Sequence, residues 1–350
     1  MIADLGIGHV RLSFPGNYAV ARSGGLYGEP GGCRTLRAAI ADFEKVSAEE
    51  VVVTTGASMG LTSLLAGLPR PCSVMLPRPY YPAYPRMAEL LGLQVIYYGL
   101  REECNWMPDP VEILGLVRGN TQAIVLNSPG NPTGSLIEVA VLAELTKIIN
   151  AADLLVISDE VYGEFVYPEA GLSLSVPDLP EVQRLARVRS FSKSFGMPGE
   201  RLGYVLTRAD LRAQVERVHW TLAMSPPATA QQAALAALRN SPQLHISRLR
   251  DELNTNRLAA GEIMKGGHSF TTSVPAAGIF YWIKVPASGF DSRTLAKQCA
   301  ERASVIVAPG DDFGMASPAY LRASFALPLA EVQEGFTKLK NFLDNLESLG

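Results

Sequence analysis

The sequence is poor in the residues that would place it in several common classes. Its four cysteines, Cys33, Cys72, Cys104 and Cys299, are scattered with no C-x-x-C pair, which argues against a disulfide framework or a zinc site and fits a reducing cytoplasm. No metal is expected. Charged residues make up only 19% of the chain and the net charge is −3, so there is neither a basic field for nucleic acid nor a polybasic patch for a membrane. No apolar run approaches the length of a membrane span, and the N-terminus has no basic stretch leading into an apolar one. Repeats, low-complexity tracts and charge runs are missing as well. Apolar residues are plentiful: 47% of 350 positions are hydrophobic, ample for a large domain and a smaller one.

Those apolar residues fall into short runs that alternate with helical spacing. Strands are expected at 51–53, 73–76, 94–98, 123–126, 154–157 and 202–206, with helices from Thr35, from Met59, and over 87–91, 136–149, 229–238 and 244–264. Alternation of this kind implies an α/β domain with a parallel sheet between helical layers. Strands near 280–285, 305–308 and 320–325, with helices near 293–302 and 329–346, then read as a smaller α+β unit. The expected division is a large domain over 15–245 and a small domain made of 246–350 with the N-terminal segment 1–14. Residues 1–32, rich in glycine, should be extended or turning, as a cleft-lining segment would be. In open α/β sheets the ligand crevice lies beyond the carboxyl ends of the strands. Three polar segments fall there: Gly56-Ala57-Ser58, the run Asn127-Ser128-Pro129-Gly130-Asn131-Pro132-Thr133-Gly134, and Asp159-Glu160-Val161-Tyr162.

The stretch Ser190-Phe191-Ser192-Lys193-Ser194-Phe195-Gly196, followed by Arg201, sets one lysine among hydroxyls just before a fixed cation. Burial or a nearby positive charge favours the neutral amine, which then condenses with an aldehyde. Pyridoxal 5'-phosphate is the aldehyde that fits, because Ser190 and Arg201 supply a hydroxyl donor and a planar cation for its phosphate. The N–H groups opening the helix after Gly56 suit the same anion. Each feature also has a plain reading: a solvated lysine in a Ser/Gly loop, and a strand-to-helix turn with a serine N-cap.

In order along the chain stand Tyr27 with Gly32 and Leu36-Arg37, Thr55-Gly56-Ala57-Ser58, Pro79-Tyr80-Tyr81-Pro82-Ala83-Tyr84, Asn131-Pro132-Thr133-Gly134, Asp159-Glu160-Val161-Tyr162, Ser190-Phe191-Ser192-Lys193 with Arg201, and Leu321-Arg322-Ala323-Ser324-Phe325. Together these motifs resemble the class I/II aminotransferases, the fold type I or aspartate-aminotransferase-like family of pyridoxal-phosphate enzymes, over most of the chain. The resemblance implies that Lys193 holds the cofactor as a Schiff base, the internal aldimine, and later shuttles the proton between substrate Cα and C4'. It implies that Asp159 faces the pyridine nitrogen, that Asn131 and Tyr162 bond the ring's O3', and that Tyr81 stacks on the ring. The phosphate would be held at the Gly56 turn by the N–H groups of Ala57 and Ser58, with Ser190, Ser192, Arg201 and, from the second subunit of a homodimer, Tyr27. Arg322 would clamp the substrate α-carboxylate, with Asn131, Gly8 and His9 also against the substrate. The implied reaction moves an amino group between an L-amino acid and a 2-oxo acid. The alternative is a lyase, cyclase, decarboxylase or oxidase built on the same residues.

One stretch departs from the family. The first extended segment commonly runs Gly-x-Pro-Asp before a second proline, whereas here Gly8 is followed by His9, Val10, Arg11 and only later Pro15. That makes His9 and Arg11 candidates for substrate contact, although His9 is equally a solvated residue near a terminus. His219, His245 and His268 match no motif and read as structural or exposed.

Overall fold

The computed structural model describes residues 2–6, 8, 10–12, 27–170, 182–286 and 289–346. Twelve strands occur among them: β1 (Ala3–Asp4), β2 (Val51–Thr54), β3 (Ser73–Arg78), β4 (Gln94–Gly99), β5 (Thr121–Asn127), β6 (Leu155–Asp159), β7 (Leu185–Ser190), β8 (Gly203–Thr207), β9 (Phe280–Val285), β10 (Val305–Ile306), β11 (Ala308–Pro309) and β12 (Ala319–Ser324). Strands β2 to β8 form one seven-stranded sheet in the order β2-β8-β7-β6-β5-β3-β4. Pairings among β3 to β7 are parallel, and β8 runs antiparallel to both β2 and β7.

Both faces of this sheet are buried, and the strands show why. In β5, Ala123 and Val125 join one apolar cluster while Ile124 and Leu126 join another. The side-chain period of two sends alternate residues of an unbroken apolar run into the two helical layers. Gly56–Ala66 and Ala209–Ala223 supply Leu61, Leu64, Leu65, Leu211 and Val215 to the first cluster, and Val139–Ala151 supplies Leu142, Leu145 and Ile149 to the second.

Register sets the functional end. Asn127 pairs with Asp159, Asp159 with Val188, and Gly203 with both Ser190 and Thr54, so the last residues of β2, β5, β6 and β7 share one edge of the sheet. A smaller unit stands beside it. It contains a three-stranded antiparallel sheet in the order β11-β12-β9, the pair β1–β10, and the helices Pro242–Met264, Ser292–Ala303 and Leu329–Asp344. Leu5, Val10 and Leu12 belong to its apolar cluster with Phe280, Leu321 and Phe336, so the N-terminal segment packs with the C-terminal part of the chain.

Several local expectations are corrected. The strand expected over 305–308 is two short ones in different sheets, β10 pairing with β1 and β11 with β12, with Val307 between them. The helix containing Met87 starts earlier, as Ala83–Leu90. Lys193 sits on a helical turn, Phe191–Ser194, instead of a loop. Strand β7 and the helices Pro110–Leu116 and Ala209–Ala223 were not anticipated. Strand β7 hides because Arg187 and Arg189 interrupt its apolar run. Their charges are met inside the protein, Arg187 Nη2 by Glu160 at 2.9 Å and Arg189 Nε by Glu44 at 2.9 Å.

Candidate active site

The carboxyl ends of β2, β5, β6 and β7 open into a cavity of about 410 Å³, closed on the far side by β12, the turn at Phe313 and the N-terminal residues Gly6 and Gly8. Lys193 projects into it. Its Nζ donates to the carbonyl of Gly8 and lies 5.8 Å from the Tyr162 ring centroid. Burial first, then the positive charges of Arg322 and Arg201, bring its pKa down to about 8, against the pull of Asp159. Such an amine has a far larger neutral fraction near physiological pH than an ordinary lysine, which a nucleophile or a proton carrier needs.

Asp159 ends β6 and is buried. Its Oδ2 accepts from the Tyr84 hydroxyl at 2.5 Å and its Oδ1 from the Val161 N–H at 3.2 Å. Burial raises its pKa to about 6, with the Tyr84 and Val161 hydrogen bonds opposing that rise. Tyr81 and Tyr162 line the same cavity. The Tyr81 ring meets Tyr84 edge-on at 5.4 Å, and the Tyr162 ring meets Phe280 edge-on at 5.7 Å.

An anion cradle lies at the β2–β8 edge. Gly56 adopts φ +75°, a left-handed turn that admits the strand-to-helix reversal, and a Cβ there would stand 2.8 Å from Arg201 Nη2. The helix Gly56–Ala66 then begins with no side-chain cap, so the N–H groups of its first turn are available to a ligand. Ala57, Ser58, Ser190, Ser192 and Arg201 all line the cavity. Gly203 lets the backbones close up here, since a Cβ on it would fall 2.6 Å from the Ala57 nitrogen. From behind, the Thr55 N–H donates to His219 Nε2 at 3.0 Å. His219 is thus a buried brace for the turn, and burial lowers its pKa.

Arg322, in the middle of β12, is a buried cation that forms no ion pair with a carboxylate among the described residues. Nη1 donates to Asn131 Oδ1 at 3.0 Å and Nη2 to the Gly6 carbonyl at 3.1 Å, while Nε has no partner. The guanidinium carbon lies 3.9 Å from the Phe280 centroid and 4.9 Å from that of Phe313. Burial pulls its pKa down to about 10. A buried, unpaired cation is costly, and a carboxylate docked against it would relieve that cost.

Of the residues singled out from the sequence, Lys193, Asp159, Tyr162, Ala57, Ser58, Tyr81, Asn131, Ser190, Ser192, Arg201, Arg322 and Gly8 therefore surround one cavity; Gly56 does not line it but packs against Arg201, which does. Tyr27 does not line it; its side chain is 76% exposed on the surface. His9 lies outside the described residues. Arg11 is drawn away to the surface, where it pairs with Glu331 at 3.0 Å, so it is not a substrate contact in this arrangement. Tyr84 and Asn127 were read only as members of their motifs, with no role of their own, and Phe313 was missed. Asn127 accepts the Asn131 N–H at 2.8 Å and donates to the Asp159 carbonyl at 3.0 Å, tying two site segments together.

The family model described as aminotransferase class I and II matches residues 18–339. The chain belongs to that family. It is 27% identical to aspartate aminotransferase of Pyrococcus horikoshii, covering 98% of this chain and 91% of that protein. It is 30% identical to the probable aspartate/prephenate aminotransferase of Aquifex aeolicus, covering 91% and 84%. The crystal structure of aromatic aminotransferase from Pyrococcus horikoshii OT3 matches with a TM-score of 0.91 at 26% identity, over 99% of this chain and 96% of that one. Fold and family agree with the resemblance read from the motifs, and the protein is an aminotransferase of the fold type I class. Class I and II aminotransferases depend on pyridoxal 5'-phosphate, and the cavity suits that group on three counts: an amine of lowered pKa for its aldehyde, an uncapped helix start beside Arg201 for its phosphate, and a buried carboxylate for its ring nitrogen. No helix among the described residues is long and apolar enough to cross a membrane, and no cluster of metal-ligating side chains occurs among them.

Proposed function

We propose that this aminotransferase acts on L-α-amino acids and 2-oxo acids at the Lys193 cavity. The observation that carries the reading is Arg322, a buried guanidinium with no carboxylate partner among the described residues, facing the same cavity as an amine whose pKa is held at about 8. When bound, pyridoxal 5'-phosphate supplies the electron sink for negative charge at the substrate Cα. Lys193 anchors it and then holds or returns the Cα proton at Nζ. Asp159 keeps a negative charge against the pyridine nitrogen. Asn131 turns its amide oxygen to Arg322, which leaves its NH2 as a donor to the ring's O3' beside Tyr162. The first-turn N–H groups at Ala57 and Ser58, the hydroxyls of Ser190 and Ser192, and Arg201 hold the phosphate. Tyr81 packs on the ring face. Arg322 would take the α-carboxylate in two parallel hydrogen bonds and so orient the substrate in the cavity. Gly8 and His9 belong to the segment over the substrate.

The same reading makes the protein a homodimer, in which exposed Tyr27 completes the partner's phosphate site, and places it in the cytoplasm. It keeps the division into a large domain over 15–245 and a small one from 1–14 with 246–350. The test is a pair of half-reactions. An L-amino acid alone should convert the bound cofactor to its amine form, and a 2-oxo acid should convert it back, with one product released per site in each direction. Loss of ammonia, carbon dioxide or hydrogen peroxide without that return would overturn the reading.

A further inference from the structure

Asp159 has to remain ionised in a place that opposes it. The side chain is 4% exposed, and burial is the largest influence on it; the negative charge of Glu160 works in the same direction. Glu160 is itself engaged by Arg187 at 2.9 Å and by Ser158. Three groups favour the carboxylate: the Tyr84 hydroxyl at 2.5 Å, the Val161 N–H at 3.2 Å and, least, the charge of Lys193. Of these, Lys193 changes charge near neutral pH and the Val161 N–H makes a long bond. Tyr84 is the constant partner. It is 1% exposed on the helix Ala83–Leu90, its ring is fixed edge-on by Tyr81, and burial together with Asp159 pushes its own pKa well above the ordinary range. It therefore stays a donor at every working pH.

We propose that Tyr84 is a positioning residue for catalysis, whose buried hydroxyl holds the Asp159 carboxylate ionised and oriented through a single short hydrogen bond to Oδ2. The proposal deepens the role given to Asp159 above and rests on it. One segment then serves both sides of the ring site, Tyr81 packing on a face and Tyr84 acting through the carboxylate. A hydrogen bond to a charged acceptor is strong enough that its loss moves a carboxyl titration up by about one to two pH units.

The experiment is an infrared titration of the Asp159 carboxyl in the full chain freed of cofactor, with Asp159→Asn subtracted to assign the band. The wild-type midpoint is expected near pH 6. Tyr84→Phe should raise it by about one to two pH units, so that at pH 7 the ionised fraction falls from about nine-tenths to between a half and a tenth. Tyr98→Phe is the control, since Tyr98 is a buried tyrosine whose hydroxyl donates to the Val125 carbonyl at 2.6 Å; it should leave the midpoint in place. In the holoenzyme, Tyr84→Phe should lower kcat at pH 7 by about two- to tenfold with KM for the donor little changed, and the loss should fade as pH rises. Should Tyr84→Phe not fold, wild-type chain grown with 3-fluorotyrosine, a more acidic donor, must show a lower midpoint. An unmoved midpoint with either protein, or an equal shift in Tyr98→Phe, would overturn the proposal. Failure of the parent reading shows differently, as full turnover in Asp159→Asn.

Discussion

Replacing Arg322 by lysine keeps the charge and removes the planar fork. In the protein that fork already spends Nη1 on Asn131 and Nη2 on the Gly6 carbonyl, and its guanidinium carbon lies 3.9 Å from the Phe280 ring centroid. A carboxylate arriving at this face takes two N–H donors that a guanidinium can aim in parallel, while an ammonium offers one along the same line. One charge-assisted hydrogen bond in a desolvated site is worth about 1.5–3 kcal/mol. Arg322→Lys should therefore lower kcat/KM for an L-amino acid by about ten- to a hundredfold. The loss should divide between the two constants, because the clamp both binds the carboxylate and orients the Cα bond. The assay is steady-state kinetics on an L-amino acid beside a primary amine of similar size without a carboxylate, whose slower turnover should be nearly unaffected. If kcat/KM for the amino acid changes by less than about twofold, roughly 0.4 kcal/mol, the arginine is not the clamp. A wild-type preference for the amine would refute the argument equally.

Three further outcomes follow from the site. Asp159→Asn should retain bound cofactor yet slow the chemical step by several orders of magnitude, because the lost charge matters most as electrons leave Cα; near wild-type turnover would falsify that role. In the cofactor-free protein, the rate at which Lys193 combines with added pyridoxal 5'-phosphate should rise with pH and level off above a midpoint near 8, since the lowered pKa yields neutral amine from that pH upward. A midpoint in the ordinary lysine range, about 10.4, would refute the influence of burial and the two arginines. Finally, coexpressed heterodimers of Tyr27→Phe and Lys193→Ala chains should keep one wild-type site, because both lesions then fall in the other; activity no better than the Tyr27→Phe homodimer counts against action across the interface.

Much of the large sheet was legible because its buried strands are short apolar runs, and each lost residue has a physical reason. Arg187 and Arg189 disguised β7, because an arginine in a strand reads as solvent-facing until Glu44, well over a hundred residues away, and Glu160 supply its partners. The helix Ala209–Ala223 buries Leu211, Val215 and His219 on one face, and the histidine breaks the apolar pattern at the third of these positions. Site motifs were legible wherever the chemistry needs a particular residue type after a strand. Tyr84 was seen only as part of a tyrosine-rich motif, since nothing local says that its hydroxyl reaches Asp159. Phe313 offered a weak signal in the turn Gly310-Asp311-Asp312-Phe313-Gly314, and its contact with Arg322 is purely tertiary. Arg11 misled for the converse reason: a cation in a segment near the site is pulled outward by Glu331, which only the folded chain brings close.

The central claim is that one amine, Lys193, forms the covalent link to the cofactor. Borohydride reduction of the holoenzyme followed by peptide mapping tests it directly. The account predicts one modified peptide, containing Ser190 to Ser194 with the added mass on Lys193, and no cofactor retained after the same treatment of Lys193→Ala. Stable label on any other lysine, or an equal yield from the alanine variant, would contradict it.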